Sequence, residues 1–145
     1  GRNFYEPRRR ARRRALQAIY QWQMTGQDAA DILRQFHDAQ DMGNVDTEHF
    51  ETLLRGVSAQ QESIDAELQA FLDRPIEQLA VMELVVLRIG SYELLHCPDL
   101  PVRVVLYECV ELANRFGSEQ GHTYVNAVLY KASRQLRPHE FDSED

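Results

Sequence analysis

Lysine is nearly missing from this chain: Lys131 stands alone among 16 basic residues, and the others are all arginine. Arginine offers a planar fork that suits phosphates and a flat face that stacks on rings. Cysteine is scarce as well. Cys97 and Cys109 are too few for a disulfide framework and lack the C-x-x-C spacing of a zinc site, which points to reducing cytosol and to cysteines that serve as small packing residues. No run of about 18 apolar residues could span a bilayer. The charged N-terminus is not followed by the apolar run and cleavage site of a secretory signal. There is no Gly-rich phosphate loop, no G-x-S-x-G elbow and no H-E-x-x-H helix. We therefore expect a non-catalytic, cytoplasmic protein without cofactor or metal.

What is present suits one domain with a proper core: 145 residues, 43% apolar and 27% charged. The net charge of −7 conceals an asymmetry. Residues 1–14 carry seven arginines (Arg2, Arg8, Arg9, Arg10, Arg12, Arg13, Arg14) against Glu6 alone, or +6. The remainder holds nine basic and 22 acidic residues, or −13. A phosphate responds to the local field, so an acidic mean does not argue against nucleic-acid binding.

Helical periodicity runs through almost the whole chain. A first helix is expected from about Pro7 to Thr25, ended by Gly26, with Ala11, Ala15, Ala18, Ile19 and Trp22 on one face. A short one follows from Asp28 to Gln40, then a turn cluster from Asp41 to Asp46. Thr47 opens a long helix with the stripe Phe50, Leu53, Leu54, Val57, Ile64, Leu68, Phe71 and Leu72, stopped by Asp73-Arg74-Pro75. The segment Ile76 to Cys97 is apolar nearly all round between Leu79 and Leu95 and reads as a buried central helix. Pro101 to Phe116 and Ser118 to Leu136 complete an all-α bundle, and an acidic, frayed tail covers 138–145. We read 1–145 as a single domain with a seam near Pro75, giving helical halves of about 8–75 and 76–137.

Two features could carry chemistry. Glu93–His96 and Glu119–His122 have the E-x-x-H step of di-iron bundles. With 13 glutamates and five histidines such pairs arise by chance, and both lie at helix ends, so a metal site is not expected. The first helix is more informative. On a helical wheel Arg9, Arg13 and Tyr20 share a line, Arg10, Arg14, Gln17 and Gln21 adjoin it, and Trp22 faces the other way. An anchored helix that offers guanidinium groups and a ring suits phosphates and unpaired bases. Glu83, Arg88 and Glu93 interrupt the central apolar helix. A buried charge is costly unless paired, so these residues either form internal ion pairs or face a partner. With Phe71 and Glu77, Glu83 could form an acidic, apolar-edged patch for a basic protein.

Four stretches resemble the NusB family of transcription antitermination factors: Arg-Arg-Ala-Arg-Arg-Arg-Ala-Leu-Gln-Ala-Ile-Tyr-Gln-Trp-Gln (9–23), Val-Leu-Arg-Ile-Gly-Ser-Tyr-Glu-Leu (86–94), Glu-Cys-Val-Glu-Leu-Ala-Asn-Arg-Phe-Gly (108–117) and Tyr-Val-Asn-Ala-Val-Leu (124–129). They fall in order along nearly the whole chain. The resemblance implies a NusB-like all-helical bundle of two roughly perpendicular three-helix halves around one core. It implies binding of single-stranded boxA RNA jointly with the ribosomal protein NusE, and recruitment with NusA and NusG to RNA polymerase on ribosomal RNA operons. Carried over by position, the RNA surface would include Arg8, Arg9, Arg10, Arg12, Tyr20, Gln120 and Tyr124, to which the wheel adds Arg13. The NusE surface would include Phe71, Glu77 and Glu83.

Tyr107 and Tyr130 stand where the family usually has Asn and Asp, which alters the C-terminal surface. Self-association of the free protein stays open. Two competing readings are a fragment of a ribosomal RNA cytosine methyltransferase, which would need a cofactor-binding α/β unit that these residues do not contain, and a structural homodimer whose arginines are a solvated tail.

Overall fold

The computed structural model describes residues 5–144, with side chains as far as Phe141. Arg2 therefore lies outside the described residues. Among the described residues there are seven α-helices: α1 (Glu6–Thr25), α2 (Ala29–Ala39), α3 (Thr47–Ala59), α4 (Gln61–Gln69), α5 (Val81–His96), α6 (Val102–Phe116) and α7 (Gly121–Leu136). Short 3-10 turns cover Ile76–Gln78 and Pro138–Glu144. Among the described residues there is no strand, and no helix is long and apolar enough to cross a membrane.

The chain divides into two compact units, residues 1–60 and 61–145. The seam expected near Pro75 thus falls earlier, ahead of α4. The expected helix from Thr47 to Leu72 is two helices, α3 and α4. Ser58 Oγ donates back to the carbonyls of Leu54 and Arg55, at 2.7 and 3.1 Å, a bond that competes with the helical ladder and bends it. No inward apolar residue falls between Val57 and Ile64 to carry the helix across the break.

In the first unit α1, α2 and α3 pack on one another. Ala11, Ala15 and Ala18 are fully buried on α1, with Leu16 and Ile19; small side chains let helices approach closely. Phe36 of α2 stacks on Phe50 of α3, centroids 5.7 Å apart. Asp28 and Asp46 cap α2 and α3 by accepting the N–H of Ala30 and His49. Gly26 ends α1 at φ 71°, in the left-handed region that favours glycine. The start of α1 is tied to the turn before α3: the Asp46 N–H donates to the Pro7 carbonyl at 2.9 Å, and Arg8 donates to the Asp46 carboxylate at 3.3 Å.

In the second unit α5 is the central helix, packed by α4, α6 and α7. Val85, Val86, Leu87 and Ile89 are fully buried. Gly90 sits where the three later helices come closest: a Cβ there would lie 2.7 Å from Leu129 of α7 and 3.1 Å from Cys109 of α6. Arg88 is buried and paired inside the protein, the first of the two readings of its charge. It makes two parallel bonds to Asp65 of α4, at 2.9 and 2.8 Å, and ties α4 into this unit.

A buried helix end must find partners for its last carbonyls. Here Arg137, 4% exposed, supplies them. Its guanidinium donates to the carbonyls of Leu94 and Leu100 at 2.9 Å, Cys97 at 3.0 Å and Glu93 at 3.3 Å. The same group pairs with Glu140 at 2.5 Å, and Glu140 accepts the Val102 N–H that begins α6 at 3.0 Å. Burial works to raise the Glu140 pKa, but the Val102 N–H and Arg137 bring it below the ordinary glutamate value. The tail expected to fray from Pro138 instead folds back. Phe141 is 8% exposed, edge-on to Tyr130.

Replacing Arg137 with Ala is expected to lower the unfolding free energy by about 3 kcal/mol, because the Leu94 and Leu100 carbonyls and one oxygen of Glu140 lose the guanidinium together, while the Glu93 and Cys97 carbonyls keep the N–H groups of Cys97 and Leu100. Urea denaturation followed by circular dichroism measures this. A loss under about 1 kcal/mol would mean that water replaces the guanidinium.

Candidate nucleic-acid interface

The two units carry separate sets of the expected binding residues. On α1 the outward line runs through Arg9, Arg13, Gln17, Tyr20 and Met24, spaced three or four residues apart so that all lie on one face. Tyr20 is 39% exposed and Met24 58% exposed. Met24 extends the line by one turn beyond Tyr20. The sequence reading passed over it because it tracked charge and rings alone.

The arginines that look alike in sequence differ in the structure. Arg10 pairs with Glu6 at 3.4 Å, Arg13 approaches the same carboxylate at 3.8 Å, and Arg8 holds Asp46. Arg14 donates to the Asp41 carbonyl at 3.1 Å. Side chains of Arg8, Arg10 and Arg13 remain 31–43% exposed, so their ion pairs are surface pairs that contribute little stability and that a phosphate can displace. Arg12 is the exception. At 2% exposure it is part of the interior, not of an accessible cationic face, and the expectation that it meets RNA is corrected. The wheel explains the difference: Arg12 lies one residue from Ala11 and three and four from Ala15 and Leu16, on the buried side of α1.

The second set surrounds the start of α7. Gln120 is exposed and stands at the N-cap position without a side-chain cap bond. One turn on, the Tyr124 hydroxyl donates to Asp73 at 3.0 Å, and the Arg74 guanidinium lies over its ring, 4.9 Å from the centroid. Arg74 also holds Asp73 at 2.8 and 3.1 Å. The Arg74 bond, then the Tyr124 bond, lowers the Asp73 pKa from 3.8 to about 2. Sequence reasoning treated Asp73 and Arg74 only as a helix stop. Nothing local signals a partner 51 positions away.

Of the three residues expected to meet a protein partner, Phe71 is half-buried and Glu77 exposed. Glu83 is 5% exposed, and its place in a partner-facing patch is corrected. Its carboxylate accepts the Ser118 hydroxyl at 2.5 Å and the Ser118 N–H at 3.3 Å. It fills the space beside two glycines. A Cβ at Gly121 would lie 2.3 Å from its Oε1, and one at Gly117 would lie 3.3 Å from its Oε2. The run Gly117-Ser118-Glu119-Gln120-Gly121 is therefore a seat for a buried carboxylate, and it sets where α7 begins. The E-x-x-H pairs do not converge: Glu93 is fully buried while His96 and Glu119 are exposed.

The NusB family model matches residues 9–134. The transcription antitermination protein NusB of Legionella pneumophila (strain Corby) is 48% identical over 130 residues, covering 90% of this chain and 88% of that protein. The protein of that name from Nitrosococcus oceani is 48% identical over 136 residues, covering 94% and 91%. Among solved structures, T. maritima NusB superposes with a TM-score of 0.79 at 27% identity, covering 94% of this chain and 97% of that one. A crystal structure of the antitermination factors NusB and NusE in complex with double-stranded RNA gives a TM-score of 0.80 at 23% identity, covering 88% and 96%. The chain belongs to the NusB family, and its all-helical fold is that of the NusB structures.

Two outcomes test this geometry. Glu83→Lys is expected to destabilise the isolated protein by about 3 kcal/mol, since it places an unpaired charge in a buried site. Gly121→Ala is expected to cost about 1–3 kcal/mol by overpacking the same carboxylate. Urea unfolding reads both, and a wild-type midpoint for Glu83→Lys would return that residue to the surface. For Asp73, a folded pKa below the unfolded one contributes stability above pH 3.8 that is lost as the pH falls through about 2. Asp73→Asn should therefore unfold at lower urea than wild type at pH 6, and the gap should close near pH 2. A gap that persists at pH 2 would show that the carboxylate charge is not its source.

Proposed function

We propose that this chain is a non-catalytic transcription antitermination factor. It binds single-stranded boxA-type RNA jointly with a NusE-type ribosomal protein, in the cytoplasm, and supports processive transcription of ribosomal RNA operons. The observation that carries this reading is the outward face of α1. Arg9 and Arg13 lead along it to the exposed ring of Tyr20, which is the combination that single strands require: cations for the backbone and a flat surface for a base. Arg8 and Arg10 add charge within the same helix. Gln120 and Tyr124 are the corresponding contacts on the second unit.

Phe71 and Glu77 are the surface for the protein partner. Ribosomal proteins are basic, and an acidic, apolar-edged surface complements one. The relatives' shared name supports the antitermination role, and the solved assembly of NusB and NusE with double-stranded RNA supports RNA and a NusE-type protein as partners. NusA, NusG and RNA polymerase complete the antitermination assembly in this proposal.

The experiment is a titration of boxA RNA at two salt concentrations, with and without the ribosomal partner. The partner should tighten binding, and a duplex of the same sequence should compete poorly. Changing Arg9 and Arg13 together to Ala should reduce the slope of log K against log salt by about 1.4, near 0.7 for each lost phosphate contact. Binding that ignores the partner would overturn the antitermination reading. A duplex that binds as tightly as the single strand would overturn the choice of ligand.

A further inference from the structure

Asp73, Arg74 and Tyr124 form a closed set in which each side chain is held by the other two. Arg74 uses Nε and Nη2 on the two oxygens of Asp73, Tyr124 donates its hydroxyl to the same carboxylate, and the guanidinium covers the Tyr124 ring. The backbone beneath is fixed as well. The Gln69 side-chain amide donates to the Arg74 carbonyl at 3.0 Å and accepts the Ile76 N–H at 3.1 Å, which clamps the loop on both sides of Pro75. Yet the set lies at the surface, with the Arg74 side chain 45% exposed and that of Asp73 65% exposed.

A long surface arginine normally samples many rotamers, and ordering it on binding costs entropy. This one is already ordered. Its guanidinium carbon lies over an aromatic ring and its Nε–Nη2 edge meets a carboxylate, and the side chain is still 45% exposed, with Nη1 outside the bridge. The charge matters as much as the shape. Asp73 cancels the positive charge of Arg74, so the pair attracts a phosphate weakly, whereas a planar guanidinium remains a good stacking surface for a base.

We propose that Arg74 is a base-stacking platform, on whose outer face one unpaired RNA base lies, in line with the Tyr124 ring beneath. The proposal rests on the RNA-binding reading above. It adds a residue that recognises a base, not the backbone, and it gives Asp73 a positioning role: the carboxylate holds the plate flat and removes its pull on phosphates.

The test combines Arg74→Ala and Arg74→Lys with boxA RNAs in which each base in turn is removed, leaving its ribose and phosphate. One abasic position should weaken binding to the wild-type chain about tenfold, the size of a single stacking contact. That same position should cost nothing further in Arg74→Ala, because the contact is already gone. Arg74→Lys should behave like Arg74→Ala, and neither should change the salt slope.

Three results would overturn the platform. A salt slope reduced by about 0.7 in Arg74→Ala, with affinity retained in Arg74→Lys, identifies a phosphate contact. Abasic costs that are the same in wild type and Arg74→Ala at every position identify a purely structural lock on Tyr124. A wild-type chain that fails to bind boxA RNA overturns the RNA reading itself, and the platform with it.

Discussion

The guanidinium of Arg137 lets an apolar helix end inside protein. Helix α5 has no polar face to turn to solvent, so its last carbonyls are buried along with its side chains, and a carbonyl without a donor in such a place costs about 1–3 kcal/mol. One arginine meets the carbonyls of Glu93, Leu94 and Cys97, and that of Leu100 just beyond. Its positive charge also sits where the α5 dipole is negative. Through Glu140 the same contact reaches the first N–H of α6, where a carboxylate suits the positive helix end. Two helix termini of opposite polarity are thus neutralised by one ion pair from the segment after α7. Without it α5 could not be both central and apolar.

This explains which parts of the fold were legible in sequence. The amphipathic helices α1, α2, α6 and α7 have one buried stripe and clear stop residues, and their ends fall within a few positions of those expected. The buried character of α5 was legible too, from its lack of any polar face. What periodicity could not supply was the fate of the charges. Glu140 was read into an acidic tail and Arg137 drew no notice, because the backbone groups they bind lie 37 to 44 positions away. The break between α3 and α4 was likewise hidden: Ser58 is an ordinary helix residue until its hydroxyl turns back on the ladder.

The candidate site shows the same division. Composition located the arginine cluster, and the wheel ordered it, but neither could distinguish a cation on the surface from one in the interior. Arg12 was counted with its neighbours although it lies on the alanine side of α1. Glu83 was read as a partner contact because an acid in an apolar helix demands an explanation, and two explanations fit. The decisive fact is the pair of glycines, Gly117 and Gly121, that leave room for its carboxylate. That signal was present in the sequence as Gly-x-x-x-Gly but pointed nowhere until the fold brought it to Glu83.

The surface charges divide into two kinds, and the division bears on how a single strand can be held. On α1 the cations outnumber the acids beside them, so Arg9 and Arg13 belong to a field that favours any phosphate chain. Around Tyr124 the cation is matched by an acid, so the field is weak and shape is what remains. Backbone attraction alone would bind any single strand, and stacking alone would be too weak to recruit one at physiological salt. Under the proposed function these two tasks would fall to different residues, phosphate attraction to those of α1 and base stacking to those around Tyr124. A neutralised arginine is then not a wasted cation; cancellation of its charge makes its flat face the dominant property.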